Sequence, residues 1–242
     1  MKRRDALGAI LVASIAPVLG TRTAFAAPFS RGLINPPTEP MRFSRVLRRG
    51  LGDGREITIA RSFSVHFAPA QEGFDLAGRQ AEVEVDLPEQ LAAFAELERA
   101  RDDSAMFPIS LDPFGQIAVS RAPAPMSAQV EAAVAQALAA IDRQGHAPGD
   151  RERLRQFALA VHNGGGAITA HMPVDLFAPA GGQQEFRQTL ALEDGMAGEV
   201  RTLFDGETDA ETGLMQTAWR EIVTEVEGDR RTSREEWTLG LA

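Results

Sequence analysis

Residues 56–67, EITIARSFSVHF, alternate apolar and polar side chains almost without a break. Ile57, Ile59, Phe63, Val65 and Phe67 fall on one parity, and Glu56, Thr58, Ser62, Ser64 and His66 on the other. Successive side chains of an extended chain point to opposite faces, so the stretch predicts a half-buried β-strand. Upstream, Met41, Phe43 and Leu47 share a parity before a turn at Gly50, Gly52, Asp53 and Gly54. Downstream, Ala81, Val83, Val85 and Leu87 oppose Gln80, Glu82, Glu84 and Asp86. Three such strands with short connections predict an antiparallel meander, one face wet and the other covered.

The cover is read from residues 127–142, SAQVEAAVAQALAAID. Val130, Val134, Ala137, Leu138 and Ile141 recur at helical spacing; Ser127 can cap the start and Gly145 the end. A shorter helix follows Pro88 through Leu91, Phe94, Ala95 and Leu97 to Arg101, and another follows Asp150, carrying Leu154, Phe157, Ala158 and Val161. Phe107 to Val119 reads as a hairpin, and strands resume over Phe186–Leu192 and Val200–Phe204. Leu214 to Val226 fits a helical stripe, but Ile222, Val223, Thr224 and Val226 are β-branched and Gly228 with Asp229 turn into Arg230–Leu239, so a final hairpin is expected. The expected fold is α+β: one curved, half-barrel-like antiparallel sheet of about eight or nine strands with helices packed on its apolar face.

Residues 1–26 read as a segment removed before folding. Lys2, Arg3 and Arg4 precede an apolar run from Ala6 to Leu19, and Ala24, Phe25 and Ala26 form a small-x-small cleavage site. The run is too short to span a bilayer. The paired arginines before Asp5, Ala6 and Leu7 resemble the twin-arginine export signal; ordinary secretion is the alternative, and either implies cleavage after Ala26 and a periplasmic destination. Residues 27–40, with Pro28, Pro36, Pro37 and Pro40, read as an extended, mobile leader, and residues 41–242 as a single domain.

Composition narrows the chemistry. Losing four basic residues and one acid with the signal takes the formal charge from −9 to −12, which disfavours nucleic acid and anionic membrane surfaces. There is no cysteine, so disulfides, thiolate ligands and cysteine nucleophiles are excluded. Lys2 is the single lysine, which removes Schiff-base and Walker-type lysine chemistry from the exported chain. No serine occupies a Gly-x-Ser-x-Gly elbow.

Arginine on apolar parity is the remaining oddity. Arg45 and Arg49 share parity with Phe43 and Leu47, Arg61 with Ile59 and Phe63, Arg79 with Ala81 and Val83, and Arg121 with Val119. Were Arg45, Arg61, Arg79 and Arg121 to converge beside Phe63 and Val65, they would hold a carboxylate or phosphate head group with an apolar tail alongside. Pairing with acids, or snorkelling at strand ends, is the competing reading. His162, His171 and Asp175 could be drawn around a metal in a hydrolase, but their spacing matches no specific motif. The alternating acids Asp205, Glu207, Asp209 and Glu211 read as a solvated turn, not a calcium loop. Trp219 and Trp237 are expected to touch across the last hairpin.

Strands, a helical insertion and further strands, with Thr212, Gly213 and Leu214 and a closing Trp237, Thr238 and Leu239, resemble the half-barrels of periplasmic lipoprotein-localisation carriers. The resemblance implies a curved sheet holding an acyl chain against helices. The expectation is thus an exported, non-catalytic binding or carrier protein for a lipid or a small apolar or anionic ligand, or for an envelope protein, with no cofactor, no catalytic or metal residues and no span in the mature chain. A hydrolase or a purely structural domain are the alternatives.

Overall fold

Alternation drives the fold as read, and the strands run longer than their patterns. The computed structural model describes residues 32–50, 56–119, 172–191, 197–226 and 229–242. They form one nine-stranded antiparallel sheet, curled into a half-barrel: β1 (Met41–Gly50), β2 (Glu56–Ala70), β3 (Gly73–Asp86), β4 (Ile109–Leu111), β5 (Ile117–Val119), β6 (Gln184–Ala191), β7 (Ala197–Thr208), β8 (Met215–Val226) and β9 (Asp229–Leu241). The spatial order is β5-β4-β3-β2-β1-β9-β8-β7-β6, so the first and last strands are neighbours at the middle of the sheet. The segment expected as the first strand of the last hairpin is strand from Met215 to Val226, in keeping with its β-branched run.

One α-helix, α1 (Ala92–Ala100), lies among the described residues. Leu91, Phe94, Ala95 and Glu98 recur at helical spacing and are buried; they cover Ile57, Ile59 and Val85 on the inner face. The helices expected at 127–142 and 150–162 lie outside the described residues. In the described part the cover of the sheet is therefore lighter in helix than the α+β reading expects. At the opposite end the inner face is covered by a run of turns around Leu176, Phe177 and Ala178, whose Phe177 carbonyl accepts the Met215 N–H at 2.9 Å. Phe43 stacks on Phe63 at 5.9 Å and tilts against Phe177 at 5.5 Å, and Phe63 meets Phe107 edge-on at 5.5 Å. Such ring pairs are worth about 0.5–1.5 kcal/mol each beyond their burial.

The described part of the leader, Gly32 to Pro40, is extended but anchored. The Ile34 and Asn35 N–H groups donate to the Pro113 and Thr212 carbonyls at 3.0 and 2.7 Å, and Ile34 is buried in the main core. The outer face is a ladder of ion pairs: Arg42 with Glu82, Arg48 with Glu236, and Arg234 Nε with Glu236 at 2.9 Å. Trp219 lies on this face, 4.5 Å beneath the Arg234 guanidinium, whereas Trp237 is buried on the inner one. Facing pairs in β8 and β9 are Trp219 with Glu236 and Ala218 with Trp237, so the expected contact of the two indoles across the hairpin does not form.

Candidate functional site

Register decides which arginines meet. Arg45 on β1 stands opposite Arg61 on β2 and Trp237 on β9, while Glu235 stands opposite Leu47 on β1 and Arg220 on β8. These residues share the inner face and form a polar belt between the two apolar clusters, with Glu98 of α1 and Asp103 of the turn after it closing one side.

Arg61 is 6% exposed and tightly held. One Nη donates to the Glu98 carbonyl at 2.8 Å and to Glu98 Oε2 at 2.9 Å, and Nε lies 3.0 Å from Asp103 Oδ2, close enough for an ion pair but not aligned as a hydrogen bond. Asp103 also accepts from Arg101 Nε at 2.7 Å. Glu235, equally buried, is clamped between two cations: Arg45 Nε donates to one carboxylate oxygen at 3.1 Å and Arg220 Nε to the other at 3.0 Å. Burial pushes the Glu235 carboxyl upward, but the Arg220 and Arg45 guanidiniums outweigh it and hold the group well below the usual carboxylate range. Burial likewise works against the charge on Arg45, and Glu235 more than compensates, so its pKa is raised.

Arg49 differs. It lies on the same face as Arg45, opposite Ile57 and Ser233, is half-buried, and makes no side-chain ion pair or hydrogen bond among the described residues. Burial depresses its pKa, Glu235 opposes that at longer range, and repulsion from Arg45 reinforces it. Among the described residues the belt thus sets Arg45, Arg49, Arg61, Arg101 and Arg220 against Glu98, Asp103 and Glu235 on a mostly apolar face. Beside it the buried Trp237 Nε1–H has no hydrogen-bond partner among the described residues, and the Arg220 guanidinium lies 5.6 Å from the indole centroid.

Of the residues singled out from the sequence, Arg45 and Arg61 are brought together. Arg79 is not: a β-bulge at Ala81 pairs Phe63 with Gln80 and Ser62 with Glu82, so the parity of β3 switches and Arg79 emerges exposed beside Ser64 on the outer face. Arg121 lies outside the described residues. Phe63 and Val65 are each 1% exposed and packed among the protein's own side chains. His162 and His171 also lie outside the described residues; Asp175 is buried, and His66 is exposed on the outer face. Among the described residues no three His, Cys, Asp or Glu side chains are grouped to hold a metal. Arg220 and Glu235 are not among the residues singled out from the sequence; continuing the parity of Trp237 and Leu239 two residues back puts Glu235 on the covered face, and Arg220 joins it only through the β8–β9 register. No protein-family model and no curated protein matches the chain.

Proposed function

We propose that this is an exported, non-catalytic binding or carrier protein for an amphiphilic anion, its carboxylate or phosphate head held at the arginine belt and its tail along the flanking apolar face. The observation carrying this reading is Arg49: a half-buried guanidinium beside Arg45, facing a covered surface with no counter-charge of its own among the described residues. Buried cations are normally paired, and an anion supplied from outside answers the imbalance. In this reading the helices expected at 127–142 and 150–162 complete the cover, the twin-arginine signal delivers the chain to the periplasm, and the half-barrel works as in the lipoprotein-localisation carriers it resembles. Export in a folded state suits a domain without disulfides, whose stability comes from packing.

The test uses hexadecanoate and its methyl ester as probes for the mature chain in calorimetric titrations. Arg49→Gln should fold with a midpoint close to the parent and bind hexadecanoate at least tenfold more weakly, the ester binding poorly to both. Equal binding of acid and ester, or an unchanged affinity in the variant, removes the head-group assignment. A structural domain filled by its own side chains is the second reading, favoured by the ring contacts of Phe63 with Phe43 and Phe107; it expects no binding of either probe.

A further inference from the structure

Among the described residues, the half-barrel has one rim rich in acids. At one end β1 and β6 begin, β9 ends, and the β2–β3, β4–β5 and β7–β8 turns lie. Among the described residues, the segments there, residues 32–41, 68–75, 111–117, 172–184, 205–216 and 238–242, contain no lysine, arginine or histidine, and the nearest base, Arg42, level with Gly240, is paired with Glu82. Their acids include the exposed Glu39, Glu72, Glu207 and Glu211 and the half-exposed Asp112 and Asp209. At this same end lie all four large apolar side chains that the described residues leave exposed: Leu33 (68%), Phe114 (42%), Val174 (44%) and Leu241 (71%).

Leu33, Phe114 and Val174 sit on segments tied to one another. Ile34 N–H bonds the Pro113 carbonyl at 3.0 Å, Ile117 N–H bonds the Val174 carbonyl at 2.8 Å, and a Cβ placed on Gly115 would lie 2.7 Å from Ala178 and 3.0 Å from Ile34. The acids are held as well. Asp112 Oδ1 accepts the Phe114 and Gln116 N–H groups at 2.8 and 2.9 Å, and Asp209 Oδ1 accepts those of Glu211 and Thr212 at 3.1 and 2.8 Å. The rim is thus an ordered surface of exposed apolar groups among negative charges, needing little ordering to bind.

We infer that this rim is a docking surface for a basic, apolar-anchored segment of another envelope protein. Charge selects among occupants. A second copy would bring acids against acids across a symmetric contact, and an anionic bilayer would be repelled. A partner presenting lysine or arginine around apolar anchors satisfies both features at once. The inference is independent of the ligand held at the arginine belt, since none of the rim residues belongs to it.

The experiment titrates the mature chain with two synthetic helical peptides of equal apolar content, one flanked by lysines and one by glutamates. The lysine peptide should bind, weakening as salt rises, and the glutamate peptide should not. Leu33→Ser with Phe114→Ser should weaken the lysine peptide tenfold or more, as should Glu207→Arg with Glu211→Arg. Glu225→Arg, an exposed change near the opposite end of β8, should leave its affinity within twofold. Circular dichroism separates a folding failure from a binding one. Equal affinity for both peptides, insensitivity to the rim variants, a dimer by sedimentation that the serine variants dissolve, or binding to anionic vesicles that they abolish would each overturn the assignment.

Discussion

Glu235 shows how much one buried charge governs. Its folded pKa lies below the unfolded value, so below about pH 4.3 the unfolded chain binds the proton more readily and stability falls with pH. The contribution is complete above that value and drains away as pH drops through the acid range toward the folded pKa. Glu235→Gln leaves Arg45 and Arg220 without their shared anion, and should cost about 3–5 kcal/mol at pH 7. Urea midpoints of parent and variant should converge as pH is lowered from 5 to 3; a gap constant over that range would show that the carboxylate charge is not what the two arginines need. Arg61 follows the same logic in reverse. Its misfit on an apolar parity was visible in EITIARSFSVHF, yet its partners Glu98 and Asp103 lie 37 and 42 positions further along the chain, on a helix and the turn after it. In the fold Arg61 belongs to a buried ion-pair network, and the proposed head-group site rests on Arg49, which lies on the same face.

At the scale of the element, the bulge in β3 decides what reaches the inner face. Gln80, brought inward by it, accepts the Asp103 N–H and donates to the Arg101 carbonyl, both at 3.1 Å, and its own N–H bonds Ser104 Oγ at 2.8 Å. One residue thereby fastens the turn that presents Asp103 to Arg61. Because Ala81 is the unpaired extra residue, deleting it restores regular pairing and leaves Gln80 and Glu82 on their present faces. Deleting Ala77, in regularly paired backbone, sends the fully buried Leu76 to the outer face, which costs about 1.5–3 kcal/mol for that side chain alone. Denaturant midpoints should therefore place the Ala81 deletion within about 2 kcal/mol of the parent and show the Ala77 deletion unfolded or far less stable; the opposite order would contradict the bulge assignment. The strands were legible because parity survives any tertiary context. The bulge was not, since Ala81 fits either face and nothing local distinguishes a paired alanine from an inserted one. Arg79 was misplaced for that reason alone.

For the whole molecule, the topology places its least local contact at its centre. β1 hydrogen-bonds to β2, its neighbour in sequence, and also to β9, bringing Arg45 and Glu235 together across 190 positions. The meander and the last hairpin follow from short turns, which local sequence displays; the seam joining them depends on which inner faces complement one another, which it does not. Without β9 the other eight strands divide into a sheet of β1 to β5 and another of β6 to β8, and Trp237 and Leu239 leave the main core. Closing so long a loop is slow and unrewarded until the faces meet, so folding should be on the millisecond-to-second side, with both halves waiting on the seam. A chain ending at Val226 should therefore lack a cooperative thermal transition, while one starting at Thr38, shorn of the Ile34 anchor, should keep it with a lower midpoint: burying Ile34 contributes about 1.5–3 kcal/mol. Amide exchange on the full chain supplies the matching readout, with β1 and β9 opening together and last. A truncated chain lacking β9 that still melts in one sharp step would mean that the two halves fold alone, and that the seam joins finished parts instead of making them.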